Sequence, residues 1–199
     1  MRPNVLLFLS VFLTALPSGA AEVSPRAVVE AFHESLLAVM KKADVLGMGG
    51  RYRHLEPRID EAFDLTRMIR IASGSHWKRA DAAKRRQLLD AFRAMSVSAY
   101  AAQFDGYSGQ SFVTVGERRE PKNILLVETR IVIPGEEPVD ITYVTKNSGE
   151  GWRIVDVLLD NAISELAVRR SEYRRILKKR GVDGLIATLY RKAAALQAE

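Results

Sequence analysis

The sequence predicts an α+β domain in which helices pack on one face of a twisted four-stranded antiparallel sheet, and three observations carry that expectation. Apolar residues recur at intervals of three and four through the first half of the chain. At Asp105-Gly106-Tyr107-Ser108-Gly109 the period changes from helical to alternating, and helical spacing returns after Asp160-Asn161. Between those points four β-branched and aromatic runs follow one another, separated only by loops rich in Pro, Gly, Asn and Ser, as hairpin-connected strands are. With 199 residues, 47% apolar and 27% charged, the chain is long enough for one sizeable core and too charged for a polytopic membrane protein.

The elements follow in order. Residues 1–21 read as a secretory signal: a basic start with Arg2, an apolar run over 5–16, then Pro17-Ser18-Gly19-Ala20-Ala21. The run is about a dozen residues, short of the ~20 that span a bilayer, and the small residues at its exit suit a signal peptidase. Cleavage is expected after Ala20 or Ala21, leaving residues 22–199 as a single domain. Over 25–40, Val28, Val29, Phe32, Leu36, Leu37 and Met40 recur at helical spacing, with Ser24 as N-cap and Pro25 at the first helical position. Gly47-Met48-Gly49-Gly50 is expected to end this helix, and Pro57 to break or restart the segment over 52–63. Asp64 caps a short helix running to Ala72 and closed by Gly74. Asp81 opens the longest central helix, where Leu88, Phe92, Met95 and Ala99 mark a buried stripe as far as about Phe104. Strands are expected over 112–115, 124–133, 139–145 and 152–159. In the second, Leu125, Val127, Thr129, Ile131 and Ile133 share a drier face, opposite Glu128 and Arg130. A helix over 162–179 closed by Gly181, and another from Asp183 through Leu185, Ile186, Leu189 and Leu196, complete the chain.

Composition and spacing remove several kinds of chemistry. The chain has no cysteine, which excludes disulfide scaffolds, thiol catalysis, iron-sulfur clusters, cysteine-ligated zinc and a lipoprotein anchor. His33, His54 and His76 have no partner at metal-ligand spacing, so neither a metal nor a cofactor is expected. Gly106-Tyr107-Ser108-Gly109 precedes a strand, whereas a nucleophile elbow leads from strand to helix. Gly47-Met48-Gly49-Gly50-Arg51 follows a helix and lacks the lysine of a phosphate-binding loop. Asp156 and Asp160 lie four apart with no third group to complete a catalytic set, and suit solvent-facing or capping roles. No enzyme is expected. The formal charge of +6 and a pI near 9.7 permit an anionic partner, which for an exported chain means membranes and anionic lipid rather than nucleic acid.

The helix over 162–179 adds detail. Advancing about 100° per residue from Ile163 places Leu166, Ala167, Tyr173 and Leu177 in one stripe, with Arg170 and Arg174 inside it. Either both arginines snorkel to the rim with only their stems buried, or they meet an anion at a pocket mouth. The second account suits phosphate, to which the planar guanidinium fork donates paired hydrogen bonds.

In this order, Phe63-Asp64-Leu65 with Arg67 and Arg70, Gly74-x-x-Trp77, Tyr107-Ser108-Gly109, Gly151-Trp152-Arg153-Ile154-x-Asp156-Val157, Arg170-Ser171-x-Tyr173 and Gly181-x-Asp183-Gly184-Leu185-Ile186 resemble the MlaC/toluene-tolerance family of periplasmic lipid carriers, over residues 24–192. Phe104-Asp105-Gly106-Tyr107-Ser108-Gly109 and the stretch over 163–173 look more like its hopanoid-associated HpnM branch than its phospholipid-carrying branch. The family's Asn-Tyr-Arg-Ser-x-Phe stands here as Val168-Arg169-Arg170-Ser171-Glu172-Tyr173, which keeps the Arg and an aromatic and loses the Asn-Tyr. The resemblance implies a fold similar to the nuclear transport factor 2 type, in which sheet and helices enclose an apolar cavity, and implies no catalysis. It implies a periplasmic shuttle that carries hopanoid or phospholipid between inner and outer membranes for an inner-membrane lipid transporter, with transient membrane-surface contact. The alternative is a periplasmic adaptor that binds only protein partners of an envelope transport complex. Carriage demands an apolar pocket first: at ~0.8 kcal/mol per CH₂, a chain of about sixteen carbons costs on the order of 12 kcal/mol to expose, far above one surface ion pair. Tyr100, Phe104, Ile131, Tyr143, Leu158, Ile163, Leu166 and Tyr173 are the expected lipid-binding residues, with Arg170 at the rim.

Overall fold

The computed structural model describes residues 23–149 and 151–198, and the expected signal segment lies outside them. The first helix, α1 (Pro25–Met40), begins where Ser24 Oγ accepts the amide of Ala27 at 3.1 Å. It buries Val29, Phe32, His33, Leu36, Val39 and Met40. It ends at Met40, before the glycine cluster. Gly47 instead kinks the next helix, α2 (Ala43–Ala62), at φ 56° and ψ −178°. Pro57 does not break α2. The carbonyl it leaves without a helical amide belongs to Arg53, an exposed residue.

Asp64 caps α3 (Leu65–Ser73) through the Arg67 amide at 2.8 Å, and Gly74 closes it at φ 57°. The five-residue α4 (Ser75–Arg79) has too few turns to show a periodicity and was not expected. Asp81 accepts the Lys84 amide at 2.8 Å to open α5 (Ala82–Gln103), with Phe104 as its C-cap.

The sheet has five strands in sequential antiparallel order: β1 (Ser111–Glu120), β2 (Ile124–Val132), β3 (Val139–Asn147), β4 (Trp152–Leu159) and β5 (Ile163–Ser164). The fifth was not expected. Asp160 and Asn161 adopt positive φ, 49° and 55°, and turn the chain so tightly that Ile163 and Ser164 pair with β4 before the last helix starts. Leu125, Val127 and Thr129 lie opposite Thr145, Tyr143 and Ile141, and all six are buried on the face that meets the helices. The two buried hydroxyls among the threonines, of Thr129 and Thr145, donate to the Ile141 and Leu125 carbonyls at 2.9 and 2.6 Å, which satisfies them.

The last helix, α6 (Glu165–Gln197), starts on two interlocking caps. Ser164 Oγ accepts the Ala167 amide at 2.9 Å, while Asp156 accepts the Leu166 amide at 3.0 Å and the Ser164 hydroxyl at 2.5 Å. Asp156 is therefore a capping residue. Gly181, at φ 64° and ψ −166°, folds α6 back on itself, so that Arg169 reaches Ser96 and Gln197 reaches Ser98, two residues apart on α5. Lys192 and Glu172 join the two halves at 3.4 Å, and Lys84 ties Asp183 just past the kink to α5. The core lies between the helices and the inner face of the sheet, around Phe32, Leu36, Phe92 and Ile154.

Candidate functional site

A cavity of about 130 Å³ lies between the inner face of the sheet and the helices. The sheet contributes Ile131, Ile141, Tyr143, Val157 and Leu159; Ile59 and Phe63 come from α2 and its C-cap; α3 adds Leu65 and Met68; α5 adds Ser96, Ala99, Tyr100 and Gln103 with its cap Phe104; α6 adds Glu165 and Arg169. Gln103 apart, the polar lining gathers at one end, where Arg169 meets Ser96 and Glu165. A second recess, about 910 Å³, is a groove open to solvent between α1, α2 and the start of β4, with Glu34, His54, Arg58, Glu61 and Arg153 on its walls. The smaller cavity is the candidate site, because its apolar walls converge on one charged mouth, the arrangement expected of a specific pocket. Phe32 stands between the two: it floors the groove and packs edge-on against Tyr100 at 5.3 Å and Phe63 at 5.0 Å.

Aromatic rings build the deep end. Tyr100 stacks on Phe104 at 6.0 Å, and Phe104 meets Phe112 at 6.4 Å. His33 stacks on Phe112 at 4.1 Å, and its Nε2 shares a 3.0 Å hydrogen bond with the Tyr143 hydroxyl. Burial holds the His33 pKa down to about 4, with the nearby Glu30 carboxylate opposing, so the imidazole is neutral at pH 7. Burial likewise raises Tyr100 and Tyr143 far above the ordinary phenol value. Both are neutral hydroxyls.

At the mouth, Arg169 donates to Ser96 Oγ at 3.2 Å, lies 3.7 Å from Glu165 Oε2 and sits 5.6 Å over the Phe92 ring. These contacts hold a guanidinium and a carboxylate side by side at the end of an apolar space. Such a site can bury a hydrocarbon and pair with a charged or zwitterionic head. Among the described residues, no three of His, Asp and Glu come together as a metal site would require.

Of the residues expected to bind lipid, Tyr100, Phe104, Ile131 and Tyr143 line this cavity. The others do not. Leu158 lies opposite Thr142 and Ser164, on the other face from Tyr143 and Val157, because the irregularity between Val144 and Thr145 resets the phase of β4. Ile163 is 53% exposed on the edge strand. Leu166 and Tyr173 are buried beside the cavity without lining it, and Tyr173 meets Phe92 edge-on at 6.5 Å. Arg170 and Arg174 are exposed. The rim arginine is Arg169. The wheel started at Ile163, which belongs to a strand; even phased from Leu166, Tyr173 and Leu177 it puts Arg170 about 40° and Arg169 about 60° from the middle of the stripe, so packing of Arg169 on Ser96 and Phe92, not periodicity, decides between them. Nothing local to the sequence marks Glu165, Phe63, Leu65 or Met68, which reach the cavity through tertiary packing.

The chain matches the family described as MlaC protein over residues 30–191. Its fold is similar to that of a solved phospholipid-binding protein from Ralstonia solanacearum in complex with a phospholipid. The TM-score is 0.77 at 22% identity, covering 90% of this chain and 100% of that one. At that identity the likeness carries the α+β fold.

Proposed function

The chain belongs to the MlaC protein family, and on that premise we propose that it is a lipid-binding shuttle, loading one amphiphile with its tail in the cavity and its head at Arg169 and Glu165. The single observation that carries this reading is the apolar cavity ending in a paired guanidinium and carboxylate. Opposite charges side by side match a zwitterionic phospholipid head, Arg169 taking the phosphate and Glu165 the amine. The phospholipid held by the Ralstonia solanacearum protein of like fold supports the same ligand class. A hopanoid is the second reading, favoured by Phe104-Asp105-Gly106-Tyr107-Ser108-Gly109 and the stretch over 163–173, which look like the HpnM branch. The export signal read in residues 1–21 supports a periplasmic shuttle, and the family resemblance implies work between inner and outer membranes with an inner-membrane transporter as partner. The protein acts by burial and release, without catalysis.

Lipid extraction and mass spectrometry of protein purified from its own host test this. A stoichiometric phospholipid is expected, and a hopanoid in its place would select the second reading. Protein that carries no lipid and takes up none when it is offered would remove both.

A further inference from the structure

The first half of α6 is one of two strongly basic stretches in this chain. Within residues 165–180, seven Lys and Arg outnumber Glu165 and Glu172 by five, and within residues 65–86 seven stand against Asp81. Arg170, Arg174, Arg175, Lys178 and Lys179 are exposed. No carboxylate among the described residues pairs with them, since Glu165 is engaged by Arg169 and Glu172 by Lys192. Several surface arginines elsewhere do find partners, Arg26 with Glu30, Arg58 with Glu61, Arg93 with Asp60 and Arg130 with Asp140, while exposed Arg70, Arg79 and Arg86 pair with no carboxylate among the described residues. The inward side of this half-helix is filled by Leu166, Tyr173 and Leu177, so the cations form its outward side, with Val168 44% exposed among them. At ~1.5 Å rise per residue, Arg174 lies about 7 Å along the axis from Arg169 at the cavity mouth.

We infer that the outward face of the first half of α6 docks on an anionic lipid leaflet and so brings the cavity mouth to the headgroup layer. Charge complementarity selects that partner: a row of exposed cations without carboxylate partners, with an exposed valine among them, suits a fluid surface of phosphates. The inference rests on the carrier reading, because it supplies the encounter at which lipid enters or leaves. Each basic side chain brought to an anionic leaflet raises affinity about fivefold, so four such residues set the difference between attachment and none.

Co-sedimentation of the full protein with vesicles tests it, using one part phosphatidylglycerol to two parts phosphatidylcholine, with phosphatidylcholine alone as the control. Wild-type protein should attach to the anionic vesicles only, and less as salt is added. The variant R174Q/R175Q/K178Q/K179Q should lose attachment more than a hundredfold while keeping the lipid that copurifies with it. Replacing the same arginines by lysine should preserve attachment, showing that charge rather than folding is read. Wild-type protein that ignores anionic vesicles, or a four-residue variant that still binds them, would overturn the inference, the first outcome pointing to an acidic protein as the partner of this face. Attachment intact on protein without copurified lipid would strike the carrier reading alone.

Discussion

His33 shows how one buried side chain links packing to solution behaviour. It is 3% exposed, stacked on Phe112 and hydrogen-bonded to Tyr143, and burial depresses its pKa from 6.5 to about 4. A depressed histidine is neutral when folded and binds its proton more readily when unfolded. Its contribution is therefore complete above pH ~6.5 and is lost as pH falls toward 4, amounting to about 3 kcal/mol. Urea midpoints at pH 7 and pH 4.5 should fall more steeply for wild type than for His33→Gln, and parallel losses would show that the imidazole is not desolvated. The two neighbouring arginines of α6 give a second contrast at this scale. Arg169→Glu reverses the charge at the cavity mouth and removes a charge-assisted contact of ~1.5–3 kcal/mol, so loading of phospholipid should weaken more than tenfold. Arg170→Glu should leave loading within about twofold, because that side chain faces water. Fluorescent-lipid titration of both variants separates the positions, and equal losses would reject the mouth assignment.

Helices and strands follow local rules, and so most elements were legible before the structure. Ser24, Asp64 and Asp81 cap where side-chain chemistry says they should, and the alternation in β2 sets its buried face correctly. What was not legible depends on neighbours or on rare backbone angles. Pro57 passes through α2 where the residue it deprives of an amide, Arg53, is exposed, and β5 exists because two positive-φ residues return the chain to β4. Gly181, by contrast, was legible. The sequence reads as one helix ending there and another beginning, and the backbone breaks at that single residue, at φ 64° and ψ −166°, a region open essentially only to glycine. A Cβ there would meet nothing within 4 Å, so any cost of Gly181→Ala is conformational, about 1–3 kcal/mol. Thermal melting should show that loss. It should also disconnect Gln197 from Ser98, so exchange of the C-terminal amides should quicken, whereas an unchanged melting temperature would mean the turn is formed by other residues.

At the scale of the whole molecule, the site was the least legible part, since its walls come from α2, α3, α5, α6 and three strands, and only Tyr100, Phe104, Ile131 and Tyr143 stood out in sequence. Volume then becomes the governing quantity. About 130 Å³ is below the ~300–1,000 Å³ of pockets that hold drug-sized ligands, so a complete acyl chain enters only if helices and sheet part. On the carrier reading the ligand would be a structural component, filling space that the empty chain closes over and binding the folded state alone. At a thousandfold excess over its dissociation constant it would add about 4 kcal/mol, which for a chain of this size raises the melting temperature by roughly ten degrees. Ala99 lines the cavity from α5, half-buried, and Ala99→Phe directs a ring into the void. The ring takes the place of the first methylenes, at an overpacking cost of ~1–3 kcal/mol where the fit is imperfect. Delipidation should therefore lower the melting temperature of wild type by several degrees and leave Ala99→Phe almost unmoved, with no lipid found in extracts of the variant. If Ala99→Phe retains stoichiometric lipid and shows the same shift, the tail lies outside this cavity, and the 910 Å³ groove beyond Phe32 becomes its place.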